Sequence, residues 1–203
     1  MVNKKDDTTE QRILTAAKKI FLAKGLDGAR MQDIADEAGI NKAMLHYYFR
    51  NKDKLFETIF EDVAAHFLPR ITEIFESNKS LFKKIEAFCE AYIDQVKQMP
   101  YLPVFVLYEA NKQPDVLVKK MFGAKKPPIH LFAKQVEEEI KKGIIKPINP
   151  LQLFLNMLSM CVFPFMVKPM FEQVAGLGKK QYDAMIEERK KFVPEFIIAS
   201  IKK

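Results

Sequence analysis

Apolar residues recur at helical spacing, three and four apart, along most of this chain, and strand-like runs joined by hairpin turn signals are nearly absent. That pattern restricts the fold to helices packed on helices, an all-α chain. Composition agrees, because 17 phenylalanines and 10 methionines supply core side chains while only 7 glycines are available for turns. With 203 residues, 48% of them hydrophobic, the chain has room for one large core or for a small domain joined to a larger one.

Helix signals divide the chain further. Thr8 and Gln11 form a capping box, so a first helix is expected from Thr8 through Ile13, Ala16, Ala17, Ile20 and Phe21 to a stop at Gly25. A short second helix carries Met31, Ile34, Ala35 and Ala38 and ends at Gly39, where a tight turn calls for positive φ. Asn41 caps a third helix with Leu45 and Phe49 on one face, and Asn51 caps a long fourth bearing Leu55, Phe56, Ile59, Phe60, Val63 and Phe67. Pro69 should kink or end that fourth helix, because proline removes a backbone donor and crowds the preceding turn. Ser80 opens a helix that Pro100 halts, and Pro103, Pro114 and the Lys125-Lys126-Pro127-Pro128 run mark further joints. Asn149-Pro150 launches a helix over Leu151 to Val167. The last helix spans about Lys179 to Ile201, with Tyr182, Met185, Ile186, Phe192, Phe196 and Ile197 on its apolar side.

Several classes of function find no support in the residues. Cys89 and Cys161 lie far apart inside apolar helical patterns, without a C-x-x-C or Cys/His cluster, which suits buried thiols in a reducing, cytoplasmic setting. His66 and His130 lack ligand-type spacing, so no metal site is expected. No phosphate loop, nucleophile elbow or carboxylate constellation appears; no catalytic residue and no cofactor is assigned, and a helical enzyme with a cryptic site is the weakest reading. The N-terminus has no apolar signal core, and Leu151 to Val167 is too short and too interrupted to span a bilayer, so no membrane role is expected. The formal charge of +7 suits a polyanionic partner, although many charges simply solvate the surface.

The stretch MQDIADEAGINKAMLHYYF, Met31 to Phe49, has the layout of a helix-turn-helix, with small Ala35 and Ala38 permitting a close crossing. Together with its flanks, KKIFLAKGLDGARMQDIADEAGINKAMLHYYFRNKDKLF, it resembles the N-terminal domain of the TetR family. The resemblance is carried by Gly25 ahead of Asp33-Ile34-Ala35, by Ala38-Gly39 at the turn, and by the aromatic cluster before Phe49-Arg50-Asn51-Lys52. It implies an N-terminal three-helix DNA-binding domain over 1–55 and a larger ligand-binding and dimerisation domain over 56–203. Beyond the first domain it thins to length, helix count and the Asn149-Pro150 joint.

By this resemblance Lys42, Ala43 and Met44 occupy base-reading positions, with Gln32 at another. Lysine can donate to guanine, glutamine can pair with adenine, and Ala43 or Met44 can touch a thymine methyl. Outside the motif, Lys42 would read as a solvated surface lysine. Tyr47, Tyr48 and Lys52 fall at phosphate-contacting positions. Two residues depart from the pattern: His46 stands where tyrosine is usual, and Arg30 replaces a capping Ser or Thr. His46 can donate to phosphate or pack, partly buried, on the first helix; Arg30 can reach phosphate but cannot cap.

The aromatic and sulfur stripes of the larger domain are core residues by default. The resemblance implies that some of them line a pocket for a small-molecule effector, and Phe67, Phe88, Tyr92, Phe105, Tyr108, Glu109, Phe132 and Phe163 are the candidates, with Tyr92, Tyr108 and Glu109 as polar handles. The implied protein is a homodimer, paired through its last two long helices, that represses transcription from an inverted-repeat operator on double-stranded DNA and is released by a largely apolar ligand. Control by a protein partner instead of a small molecule is the alternative.

Overall fold

The structure is a computed structural model that describes residues 4–123 and 129–203. The described residues form eleven helices and no strand: α1 (Lys4–Gly28), α2 (Met31–Ala38), α3 (Lys42–Tyr48), α4 (Lys52–Glu76), α5 (Leu81–Gln98), α6 (Leu102–Lys112), α7 (Pro114–Phe122), α8 (Ile129–Lys141), α9 (Pro150–Met166), α10 (Lys168–Ala175) and α11 (Lys179–Ile201). None of them alone is long and apolar enough to cross a membrane. The Lys125 to Pro128 joint lies outside the described residues.

The caps act where side-chain chemistry places them. Asn41 Oδ1 accepts from the Met44 amide at 2.7 Å, and Asn51 Oδ1 accepts from Lys54 at 2.8 Å. Asn149 Oδ1 accepts from both Leu151 and Gln152 ahead of the proline-led first turn of α9. Three boundaries differ from expectation. α1 already runs from Lys4, because no glycine or proline between Lys4 and Thr8 opposes helix. Gly25 does leave helical geometry, but the chain resumes a final turn to Gly28 instead of stopping. α4 passes through Pro69 and continues to Glu76, so of the two outcomes expected there, a kink or an end, the end does not occur.

Two buried clusters hold the helices together. One joins Ile13, Ala17 and Phe21 of α1 to Ile34, Leu45, Phe49 and the first half of α4, and also takes in Leu102 and Leu117 from α6 and α7. The other gathers Ile71 and Phe75 of α4 with α5, α8, α9 and α11 around Phe88, Phe132, Met157 and Tyr182. α4 therefore belongs to both. Lys84, buried at the start of α5, donates to the Phe75 carbonyl at 2.7 Å, close to the negative end of the α4 dipole. Burial pushes its ammonium pKa below the usual lysine value.

On the outer side of α9, α10 and α11 the apolar pattern is not covered. Leu151, Leu155, Phe163, Met170 and Val174 are exposed, as are Phe192 and Phe196, whose rings stack 6.2 Å apart. The expected apolar side of the last helix is thus split. Tyr182, Ile186, Val193 and Ile197 enter the core, whereas Phe192 and Phe196 lie on the opposite flank.

Candidate functional site

The first four helices present a compact surface at one end of the molecule. α2 and α3 meet at Gly39, whose φ of 65° closes the turn. The turn is also held from outside, since Arg12 of α1 donates to the Ala38 carbonyl at 2.5 Å, the unpaired C-terminal end of α2. Lys19–Glu37 at 2.6 Å and Lys24–Asp33 at 2.9 Å tie the same two helices together. The Lys24 ammonium holds the Asp33 carboxyl below the usual carboxylate range, helped by the Arg30 amide that donates to it at 3.2 Å. Arg30 contributes no side-chain cap; Asp33 satisfies the helix start from the other direction. Sequence reading missed this α1 clamp, although the placement of Arg12 and Lys19 seven residues apart on one helix flank was visible.

α3 buries Leu45 and turns its other faces outward. Lys42, Ala43, Met44 and His46 are exposed, and Tyr47 is 85% exposed. Tyr48 is half-buried, its ring edge-on to that of Tyr47 at 5.5 Å. His46 Nδ1 lies 3.1 Å from the Arg50 carbonyl and the residue is exposed, so it does not pack on the first helix. Gln32 is exposed on α2 and donates to Asp36 at 2.8 Å. Lys52, at the first turn of α4, points its ammonium to the carbonyls of Asp27 and Ala29 at 3.4 and 3.3 Å. It thereby ties the start of α4 to the α1–α2 turn and keeps one of its three donors unused.

A cavity of about 440 Å³ lies between the two clusters. One wall is the stripe Phe60, Val63, Ala64, Phe67, Leu68, Ile71 and Phe75 of α4; Phe88 and Tyr92 of α5, Leu102 and Val106 of α6, Met121 and Phe122 of α7, Ile129 of α8, and Phe154 and Leu158 of α9 complete it. Tyr92 is fixed between Phe67, edge-on at 5.5 Å, and Phe88, stacked at 5.6 Å. Burial pushes the Tyr92 phenol well above its ordinary pKa. A second hollow, about 420 Å³, opens on the outer side between α9, α10 and α11, lined by Phe163, Phe171, Met185 and Arg189 among others. Among the described residues no group of three or more His, Cys, Asp or Glu side chains could hold a metal ion.

Residues 13–59, which include the whole α2–turn–α3 unit, match the family model described as bacterial regulatory proteins, tetR family. Residues 13–59 therefore carry a TetR-type N-terminal domain. The chain is 41% identical over 61 residues to the HTH-type transcriptional repressor NicS of Pseudomonas putida, a match covering 30% of this chain and 29% of NicS. To the HTH-type transcriptional regulator RutR of Escherichia coli it is 23% identical over 167 residues, 82% of this chain and 78% of RutR. The solved structure of the regulator FadR from Bacillus subtilis in complex with stearoyl-CoA shares the fold, with a TM-score of 0.62 at 17% identity, over 94% of this chain and 98% of FadR.

The helix-turn-helix brings Arg30, Gln32, Lys42, Ala43, Met44, His46 and Tyr47 to one end of the molecule, exposed. Of the eight residues named for a ligand pocket, Phe67, Phe88 and Tyr92 line the interior cavity. The other five lie elsewhere. Phe105 packs on Phe56 and Phe60, 4.6 and 5.6 Å away, within the N-terminal cluster. Phe132 is fully buried behind Phe75 and Phe154. Tyr108 is exposed under the Lys112 ammonium, Glu109 does not line the cavity, and Phe163 lines the outer hollow. The α4 stripe from Phe60 to Phe75 keeps helical spacing throughout and was the signal that would have found the wall.

Proposed function

We propose that this protein is a dimeric repressor that grips an inverted-repeat operator and is released by a small, largely apolar ligand in the interior cavity. The observation that carries the reading is the single helix α4: it starts at the Lys52 anchor beside the α1–α2 turn and forms a cavity wall from Phe60 to Phe75. In this reading residues 1–55 read DNA and residues 56–203 sense and dimerise. α6 is the second lever, with Leu102 and Val106 on the cavity and Phe105 on the α4 rings of the N-terminal cluster. A ligand that displaces either helix changes the separation of the two recognition helices, which must match one DNA turn of about 34 Å. A coupling of about 1.4 kcal/mol suffices for a tenfold loss of operator affinity.

At the DNA face, Lys42, Ala43, Met44 and Gln32 are proposed to reach base edges, while Arg30, His46, Tyr47, Tyr48 and Lys52 position the phosphates. Lys42→Ala is expected to alter base preference at one position per half-site, and Tyr47→Phe to weaken all sequences alike. Each lost phosphate contact made by a charged group lowers the log-log salt slope by about 0.9, so Lys52→Ala should reduce the slope where Tyr47→Phe should not. Footprinting on operators selected from a genomic library checks all three. Wild-type affinity and preference in every variant would move the DNA surface elsewhere. Exposed Val104 and Leu107 on α6 favour, as a second reading, a protein that docks there and controls the same levers; an operator affinity indifferent to small molecules and shifted by a protein would select it.

A further inference from the structure

The position of the interior cavity does not dictate its chemistry; its side chains do. Among the described residues that line it none carries a charge, and Tyr92 alone has a side-chain oxygen or nitrogen. Most lining residues sit inside helices, where backbone donors and acceptors are already paired with one another. No hydrogen bond ties the Tyr92 hydroxyl to another described residue, and the Cys161 thiol is the one polar group whose influence reaches it among those residues, so it is a donor in largely apolar surroundings. Phe67 and Phe88 hold its ring from two sides, which fixes the direction of that donor.

We infer that the cavity takes an uncharged, largely hydrocarbon molecule bearing one oxygen that accepts from the Tyr92 hydroxyl: an alcohol, ketone or ester, and not a carboxylate or a phosphorylated compound. The inference rests on reading this cavity as the effector site. An anion placed against the described walls would lose its hydration without meeting a cation or a set of donors among them, a cost that apolar contact does not offset. The volume of about 440 Å³, at about 30 Å³ for each water-sized group, accommodates on the order of 15 such groups. FadR, which shares the fold, is known with a charged thioester, stearoyl-CoA; the described residues of the present cavity offer nothing to the phosphates of such a molecule.

The test uses the full chain, Nile red as an uncharged fluorescent reporter, and dodecanol and dodecanoate as competitors on one carbon skeleton. Dodecanol should displace the dye, with dodecanoate at least about tenfold weaker. Tyr92→Phe, checked for unchanged melting, should weaken dodecanol by about three- to tenfold. Leu158→Phe, which fills the cavity, should weaken dye and dodecanol together. Dodecanoate binding as well as dodecanol, full dodecanol affinity in Y92F or L158F, or displacement by neither competitor would each overturn the inference. Operator affinity is measured in parallel. If dodecanol binds in the expected pattern and leaves operator affinity unchanged, the ligand class stands and the effector reading falls; if both competitors loosen the operator equally, the effector reading stands and the ligand class falls.

Discussion

Gly25 and Gly39 bracket α2, and each disfavours a side chain for a different reason. At Gly25 the backbone combines φ 73° with ψ 171°, a region open almost only to glycine, and an added Cβ would sit 3.3 Å from the Tyr101 ring. At Gly39 the φ of 65° is ordinary left-handed geometry, and an added Cβ would meet the far end of the flexible Arg12 side chain at 3.1 Å. Gly25→Ala should therefore cost about 1–3 kcal/mol and Gly39→Ala about 1–2 kcal/mol, with the Gly25 variant the less stable. Urea melts of the two variants check the order. The reverse order would mean that Arg12 cannot yield and that the α1 clamp on the turn is rigid.

Within α9, Pro164 has no amide hydrogen, so the carbonyl of Met160, four residues earlier, loses its helical partner. Arg189 of α11 supplies one, its Nη2 donating to that carbonyl at 2.6 Å, and the Tyr182 hydroxyl donates to the Pro164 carbonyl at 2.5 Å. Helix α11 thus completes the hydrogen bonding that a proline left open in α9. Arg189→Met should destabilise by about 1–2 kcal/mol, the cost of an unsatisfied, partly buried carbonyl. Pro164→Ala restores an amide to Met160, so the same Arg189→Met change should cost markedly less in that background. A double-mutant cycle measured by chemical denaturation decides it; strict additivity would show that Arg189 acts through some other contact.

The whole molecule leaves one long apolar face uncovered, with Leu151, Leu155, Phe163, Phe192 and Phe196 all more than half exposed. Exposed apolar area of this extent marks an interaction surface, and the proposed occupant is a second copy of the chain related by a two-fold axis. Phe192→Glu combined with Phe196→Glu should give a folded monomer by light scattering, with helical content unchanged, because neither ring contributes to the core of its own chain. Operator binding should fall with the loss of the second recognition helix. A double variant that stays dimeric would place the interface on another face. Cooperation between the two clusters is built in at the same scale, since α4 and α6 each contribute to the N-terminal cluster and to the cavity wall.

Local sequence was enough for the helical class, the caps at Asn41, Asn51, Ser80 and Asn149, and the helix-turn-helix layout. These are local matters, decided by side chains within a few residues of the backbone groups they serve. Tertiary structure decided which aromatic stripe became wall and which became core. Phe88 and Phe132 read alike in sequence, yet one borders the cavity and the other is sealed behind Phe75 and Phe154, because packing depends on what arrives from distant helices. The same reason covers Pro69, where local rules expected a kink or an end and the helix does not end. One lost hydrogen bond is a small term beside the burial of Ile71 and Phe75 beyond it, and the helix runs on to Glu76.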